Sequence, residues 1–174
     1  MFNYAEMTTV ELIDLLFKEE DRVTLEHIQE VVRRGDEAKP RLLEILADED
    51  YWYEGQRGTF WIELHAAMIL CSMRDPALLP NLLAIVMDSY FSEQHWVVER
   101  WPEMLAQFGE EAVEPLMGFI REYHDGYRDN PDYSQARAQM AKALTLIAID
   151  HQSVRRPVLD FLCQMFADQE ERDR

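Results

Sequence analysis

Histidines beside acidic residues are the side chains of this chain with the clearest potential for chemistry. Each of the five has a carboxylic acid one or two positions before it: His27, His65, His95, His124 and His151. An imidazole with a carboxylate neighbour is typical of metal sites and of general acid–base catalysis. None of the five lies in an H-E-x-x-H motif, so the clearest helical zinc signature is missing from the sequence.

Helical spacing pairs two of the histidines with an acid. The pairs are His27 with Glu30 and His95 with Glu99. Residues three or four apart contact on one helical face, but two ligands do not complete a zinc site. His65 lies in the most apolar stretch, where we expect a hydrogen-bonded core histidine, although an imidazole beside Glu63 could titrate near neutrality.

Motifs for other chemistries are also missing from the sequence. No serine has a nucleophile-elbow setting, and the six glycines form no phosphate-binding loop. We therefore expect a protein that is not an enzyme and that holds neither a metal nor a cofactor.

The charge of the chain restricts its partners. Its 174 residues include 17 Lys and Arg against 34 Asp and Glu, a net charge of −17. This excess of acid repels phosphate backbones and argues against nucleic acid, whereas it favours a basic protein surface or peptide. The alternative is that the acidic residues serve only to keep the chain soluble.

Cellular location follows from the cysteines and from the apolar runs. Cys71 and Cys163 each lie in an apolar helical stretch, as small core residues of a reducing compartment do. No apolar run approaches the ~20 residues that cross a bilayer, and the N-terminus does not resemble a signal peptide. We expect a cytoplasmic protein that does not enter a membrane.

Apolar periodicity predicts an all-helical chain that forms a single domain over 1–174. The segments are a capping helix at about 8–18, helix pairs at about 24–47, 60–88, 93–123 and 133–167, and a charged tail at 168–174. Thr8 with Glu11 forms a capping-box pattern, and Thr24 and Asp75 are N-cap candidates. Pro102 is expected to kink the helix in which it lies. The stretch around His65 is apolar on nearly every face, which predicts a central helix.

The helix pairs repeat one pattern. Pro40, Pro80, Pro115 and Pro157 come early in the second helices, 40, 35 and 42 residues apart, and an aliphatic or aromatic quartet follows each proline. These units resemble HEAT-like repeats over residues 24 to 167. The resemblance implies a right-handed α-solenoid of about four helix pairs with an N-terminal capping helix.

Enzymes of similar architecture provide a test of activity. HEAT-like deoxyhypusine hydroxylases carry repeated His-Glu dipeptides, which this sequence lacks, and HEAT-like alkylpurine DNA glycosylases need a basic concave surface. The activity of bilin lyases, which have a similar architecture, stays an alternative, since an aromatic groove could hold a tetrapyrrole, but no local motif in this sequence specifies that activity. The resemblance thus predicts an architecture without specifying an activity.

A concave face is the usual binding surface of the HEAT-like family, and the second helices line it. Carried over to this sequence, that face would present Arg41, Glu44, Asn81, Asp88, Glu114, Glu122, Arg155, Arg156 and Asp160. Its middle is acidic.

The connections between the pairs are rich in aromatic residues interleaved with acids. These aromatics are Tyr51, Trp52, Tyr53, Tyr90, Phe91, Tyr123, Tyr127 and Tyr133. In a stacked solenoid they would form one exposed edge suited to a cationic peptide, with Trp52 as its foremost interface residue. The alternative is that the rings fold back and cover the ends of the core.

Three functions follow from these features. The favoured one is a non-enzymatic scaffold or adaptor, a monomer or weak dimer, that binds a protein through the aromatic edge or the concave face. The second is a small-molecule or chromophore-binding solenoid, with Arg155 and Arg156 as contacts for a carboxylate. The third is an acidic decoy or immunity-type inhibitor whose negative field imitates a nucleic acid.

Overall fold

A computed structural model of the chain describes residues 2–53, 61–91, 95–125 and 131–172, and the secondary structure within these ranges is entirely helical. The α-helices are α1 (Thr9–Glu19), α2 (Leu25–Arg34), α3 (Lys39–Ala47), α4 (Glu49–Tyr53), α5 (Ile62–Ser72), α6 (Leu79–Phe91), α7 (His95–Val98), α8 (Trp101–Ala106), α9 (Val113–Asp125), α10 (Pro131–Asp150) and α11 (Gln152–Arg172). The predicted all-α class is confirmed. Over the described ranges, none of these helices has the length and apolar character needed to cross a membrane.

The chain divides into two compact units, Met1–Val98 with α1 to α7 and Glu99–Arg174 with α8 to α11. The sequence predicts a single domain, and the boundary between the units lies inside the third predicted helix pair. The stacking of four pairs into a right-handed solenoid stays a prediction from the sequence.

Local signals at helix starts are confirmed. The Thr8 hydroxyl accepts from the Glu11 N–H at 3.2 Å while the Glu11 carboxylate accepts from the Thr8 N–H at 2.8 Å, so both halves of the capping box are present. Thr24 caps α2, and Asp75 caps the 3₁₀ turn that leads into α6. These side chains satisfy backbone N–H groups that have no partner within the first turn of a helix.

The first unit is built around α5, as its apolar sequence predicts. This helix packs against α1, α2, α3, α4 and α7. Its alanines Ala66 and Ala67 are fully buried and let neighbouring backbones approach closely. The surrounding core is aliphatic, with Leu12, Leu16, Leu42, Ile45, Leu46, Ile69, Leu70 and Leu82 all at or near zero exposure.

The second unit is built around α10, which packs against α8, α9 and α11. Its buried face alternates small and large residues, and Ala136 and Ala143 lie beside Met140 and Leu144. Trp101 of α8 is fully buried.

Three details of the sequence prediction are wrong. Pro102 does not kink a longer helix but lies in the first turn of α8, a position that needs no amide proton. The predicted connection after α3 instead contains the short helix α4. Cys163 is exposed, because the register of α11 places it away from the buried Val158 and Phe161, whereas Cys71 is in the core as predicted.

Candidate protein-interaction surfaces

Two of the aromatic residues predicted to form an exposed edge are in the core. Trp52 is 2% exposed, and its indole N–H donates to the Leu46 carbonyl at 2.8 Å. Tyr90 is 6% exposed on α6. The prediction that these two residues are accessible is wrong, since helix α4 turns Trp52 inward and Tyr90 continues the buried face of α6. These two side chains instead cover the core, which is the alternative that the sequence left open.

Other members of the predicted edge reach the surface. Tyr51 is half-buried, and its ring lies 5.6 Å from that of Phe17 on α1. Phe91 is exposed at the end of α6. In the second unit the half-buried rings of Tyr123 and Tyr133 stack 5.4 Å apart. The Tyr53 side chain and Tyr127 lie outside the described residues, and no common edge of the two units is described.

All nine residues predicted for the concave face are exposed. In the first unit these are Arg41, Glu44, Asn81 and Asp88, and in the second unit Glu114, Glu122, Arg155, Arg156 and Asp160. Several are held by neighbours in the same unit. Arg41 pairs with Glu44 at 3.0 Å, and the Arg155 guanidinium donates to the carbonyls of Ala148 and Ile149 at the end of α10. The concave face itself stays a prediction.

Acidic residues concentrate around α4 in the first unit. We call Asp48, Glu49, Asp50 and Asp88 the α4 acidic cluster; all four are exposed. Partial burial, together with the nearby Glu49 carboxylate, raises the pKa of Asp88. Burial is the larger cause, and the like charge of Glu49 adds to it, so Asp88 is ionised beside a second carboxylate.

A groove of about 390 Å³ lies along α1 in the same unit. Phe2, Met7 and Leu15 supply its apolar lining. Its charged lining residues are Glu11, Asp14, Lys18 and Glu19. Sequence reasoning missed this groove, although the apolar residues that precede the capping box were a signal for it.

Two histidines connect α1 to the rest of the first unit. The Nε2 atom of the fully buried His27 lies 2.8 Å from the Leu12 carbonyl oxygen, and Nε2 of His65 lies 2.8 Å from that of Glu20. Burial lowers the pKa of both rings. His65 is thus the hydrogen-bonded histidine that the sequence predicts, and its pKa moves down from the ordinary value.

The predicted pairing of His27 with Glu30 does not form. The Glu30 carboxylate is bound by Arg33 and Arg34, and these hydrogen bonds lower its pKa to about 2. The other pair involves the His95 side chain, which lies outside the described residues. Among the residues that are described, no group of three or more His, Cys, Asp or Glu side chains could hold a metal ion.

One polar cluster in the second unit brings together serine, glutamate and histidine. The Ser153 hydroxyl donates to Glu110 Oε1, and His151 Nδ1 lies 3.4 Å from the same oxygen. In a nucleophilic triad the serine would donate to the histidine instead. The cluster connects the turn between α10 and α11 to the 3₁₀ turn Gly109–Ala112. These turns are far apart in the sequence, so no local motif predicts the cluster.

Glu63 is the most unusual ionisable group of the first unit. It lies in the first turn of α5, is 1% exposed, and its Oε1 atom has no hydrogen-bond partner among the residues that the structure describes. Burial raises its pKa to about 7.

Comparisons with protein families and with other proteins give no assignment. No family model, curated protein or solved structure matches this chain. The HEAT-like resemblance therefore stays a prediction from the sequence.

Proposed function

We propose that this protein is a non-enzymatic protein-binding module whose partner presents a basic surface to the α4 acidic cluster. The observation that carries the proposal is the uncompensated charge of this cluster beside the half-exposed Tyr51 ring. Neither Glu49 nor Asp88 forms an ion pair with any residue that the structure describes.

Charge distribution supports the same surface. The first unit contains 19 acidic and 8 basic residues, whereas the second contains 15 and 9. A lysine or arginine of a partner placed between Glu49 and Asp88 would relieve their mutual repulsion, and such complementarity raises association rate and specificity.

Aromatic side chains beside the cluster supply apolar contact area. Tyr51 and Phe17 form a tilted ring pair between α4 and α1, and the Arg41 guanidinium lies near Tyr51. Tyrosine is enriched among the residues that dominate binding energies, because one end of the ring is apolar and the other hydrogen-bonds.

The test is affinity capture from a lysate of the source cells on the immobilised full chain, with quantitative mass spectrometry of the retained proteins. The first variant, E49Q/D88N, removes two charges of the cluster. The matched control, E111Q/D150N, removes two exposed charges in the second unit that belong to no candidate binding surface. We expect at least one protein that parent and control retain equally, that E49Q/D88N retains about fivefold less, and that raised salt releases.

Equal retention by all three chains would contradict the proposal, as would a retained protein whose contact surface proves acidic. A chain that returns instead with a bound chromophore or metabolite, seen by native mass spectrometry, would favour the small-molecule alternative.

A further inference from the structure

The groove along α1 has a second wall formed by the segment that precedes the helix. Phe2 and Met7 of this segment face the groove together with Leu15 of α1. Phe2 is 51% exposed, so its ring is an apolar surface that water reaches. A partly open aromatic side chain in a concave site is a common anchor point for a protein partner.

Contacts with α2 hold this wall in position. The Tyr4 ring stacks on His27 with centroids 4.9 Å apart, and the Phe2 ring stacks in turn on Tyr4 at 5.9 Å. The Arg34 guanidinium donates to the Met7 carbonyl at 2.7 Å. Because the wall is ordered before a ligand arrives, binding would not need to order it.

Negative charge lies around the apolar lining. The carboxylates of Asp14 and Glu19 form no hydrogen bond or ion pair with the side chains that the structure describes, although Arg41 lies close enough to Asp14 for its pKa to be raised in part by that carboxylate. The Glu11 carboxylate is occupied by the capping box. Lys18 is the basic residue among the described lining side chains. The groove therefore combines an apolar floor with a lining in which three carboxylates outnumber one lysine.

From these features we infer that the groove binds a short peptide segment of the partner in which apolar residues lie between two basic ones. The apolar side chains would contact Phe2 and Leu15, and the basic residues would pair with Asp14 and Glu19. The inference rests on the proposed function, since the occupant is a protein segment, but it places a second contact site outside the α4 acidic cluster.

Dimensions fit such a segment. The helical path from Asp14 to Glu19, the two carboxylates that would pair with the basic residues, is about 7.5 Å long at 1.5 Å per residue. The first and fourth residues of a peptide segment are separated by three steps, at most about 10 Å at roughly 3.3 Å each, so a four-residue segment that is not fully extended covers the path. A segment with a basic residue at each end and two apolar residues between them therefore matches the groove.

The experiment titrates the isotope-labelled full chain with the probe peptide acetyl-Lys-Leu-Leu-Lys-amide and follows backbone amide shifts by NMR. Two control peptides replace lysine with glutamate or leucine with serine. The variant D14N/E19Q tests the charges, with E111Q/D150N as its matched control, since Glu111 and Asp150 are exposed and belong to no candidate binding surface. F2A tests the apolar wall, with L25A as its control, since Leu25 is 67% exposed and does not line the groove.

We expect the lysine-leucine peptide to shift amides of the Phe2–Glu19 region and both control peptides to bind at least about fivefold more weakly. D14N/E19Q and F2A should each weaken binding about fivefold, the scale of two exposed ion pairs or of one partly buried ring, while E111Q/D150N and L25A bind as the parent does. Unfolding curves of each variant verify that it is folded.

Equal affinity of D14N/E19Q and the parent would overturn the groove as the site, and so would shifts confined to other residues. Neither result contradicts the proposal that the α4 acidic cluster binds a partner, because that proposal is tested separately by E49Q/D88N. Conversely, if the lysate yields no partner and the peptide still binds at the groove, the proposal for the cluster is wrong and the inference about the groove is supported.

Discussion

Glu63 introduces a carboxyl group into the interior of the first unit, and its Oε1 atom has no hydrogen-bond partner in the described part of the chain. The neighbouring buried positions on α5 are Ile62, Ala66 and Ala67, so the apolar face of the helix includes this acid. An ionised carboxylate there is desolvated, and the neutral acid is favoured. At pH values between 4.5 and about 7, Glu63 therefore binds a proton on folding, because its carboxyl group is ionised in the unfolded chain and neutral in the folded one.

Replacing Glu63 with glutamine should stabilise the protein, increasingly so as the pH rises. The unfolded-state pKa is 4.5 and the folded-state pKa about 7, so the parent loses stability as pH rises between these values and no further above them. From about pH 5.5 to about pH 8 the advantage of E63Q should grow by about 2 kcal/mol.

Urea unfolding of E63Q and parent at both pH values measures this difference. E26Q is the matched control, since Glu26 is exposed on α2. A difference between E63Q and parent that does not change with pH would show that the carboxyl of Glu63 ionises normally in the folded state.

Trp52 shows where sequence reasoning about side chains fails. Flanking tyrosines and acids gave it the appearance of a loop residue, yet α4 turns its ring into the core, where the Leu46 carbonyl accepts its N–H. By contrast, Thr8, Thr24 and Asp75 were predictable as caps, because a cap depends on residues two or three positions away. Burial of an isolated aromatic depends on distant elements and has no such local signal.

Turns between elements depend on two glycines with a positive φ. Gly35 follows α2 with a φ of 55°, and Gly109 follows α8 with a φ of 60°. The two positions differ in the space that is available to an added side chain. A Cβ added at Gly35 meets no atom within 4 Å, whereas at Gly109 it would lie 3.0 Å from Nε2 of His151.

Alanine should consequently be tolerated less well at Gly109 than at Gly35. The backbone alone makes G35A less stable by at least about 1 kcal/mol, since a φ of 55° with a ψ of −122° is a conformation that L residues rarely adopt. At Gly109, where φ is also positive, alanine adds a steric contact with the ring of His151 that we expect to cost about 1 kcal/mol more. Chemical unfolding of G35A, G109A, H151A and G109A/H151A separates the two terms.

In the H151A background the alanine at position 109 should cost no more than the one at position 35. If it costs as much as in the parent, the loss arises from the backbone or from other neighbours and the contact with His151 is irrelevant.

The helical segments and most of their first residues could be predicted from the sequence, whereas the division of the chain into two units could not. Periodic apolar residues and early prolines such as Pro40, Pro80 and Pro115 mark helices locally. The boundary at Val98 is a property of long-range packing, because α5 collects the helices of the first unit and α10 those of the second. The α1 groove was missed for the same reason, since its wall depends on Tyr4 meeting His27 of another helix.

At the scale of the whole molecule, a net charge of −17 opposes compaction, and the first unit carries the larger share of it. Repulsion acts locally in the α4 acidic cluster, where Glu49 adds to the effect of partial burial in raising the pKa of Asp88, so the ionisation of Asp88 destabilises the folded state. If Glu49 and Asp88 bind a basic partner, the same two residues reduce the stability of the free protein.

This relation predicts that E49Q/D88N, the variant expected to lose the partner, is more stable than the parent at neutral pH. The gain should be about 0.5 kcal/mol at low salt, the scale of interactions between exposed charges. It should shrink towards about 0.5 M salt, where the Debye length falls to a few ångströms. Thermal unfolding of both chains over a salt series measures the effect, with E114Q/E122Q as the control for net charge alone. Equal gains in the two variants would assign the repulsion to the molecule as a whole, whereas a gain confined to E49Q/D88N would locate it at the proposed binding surface.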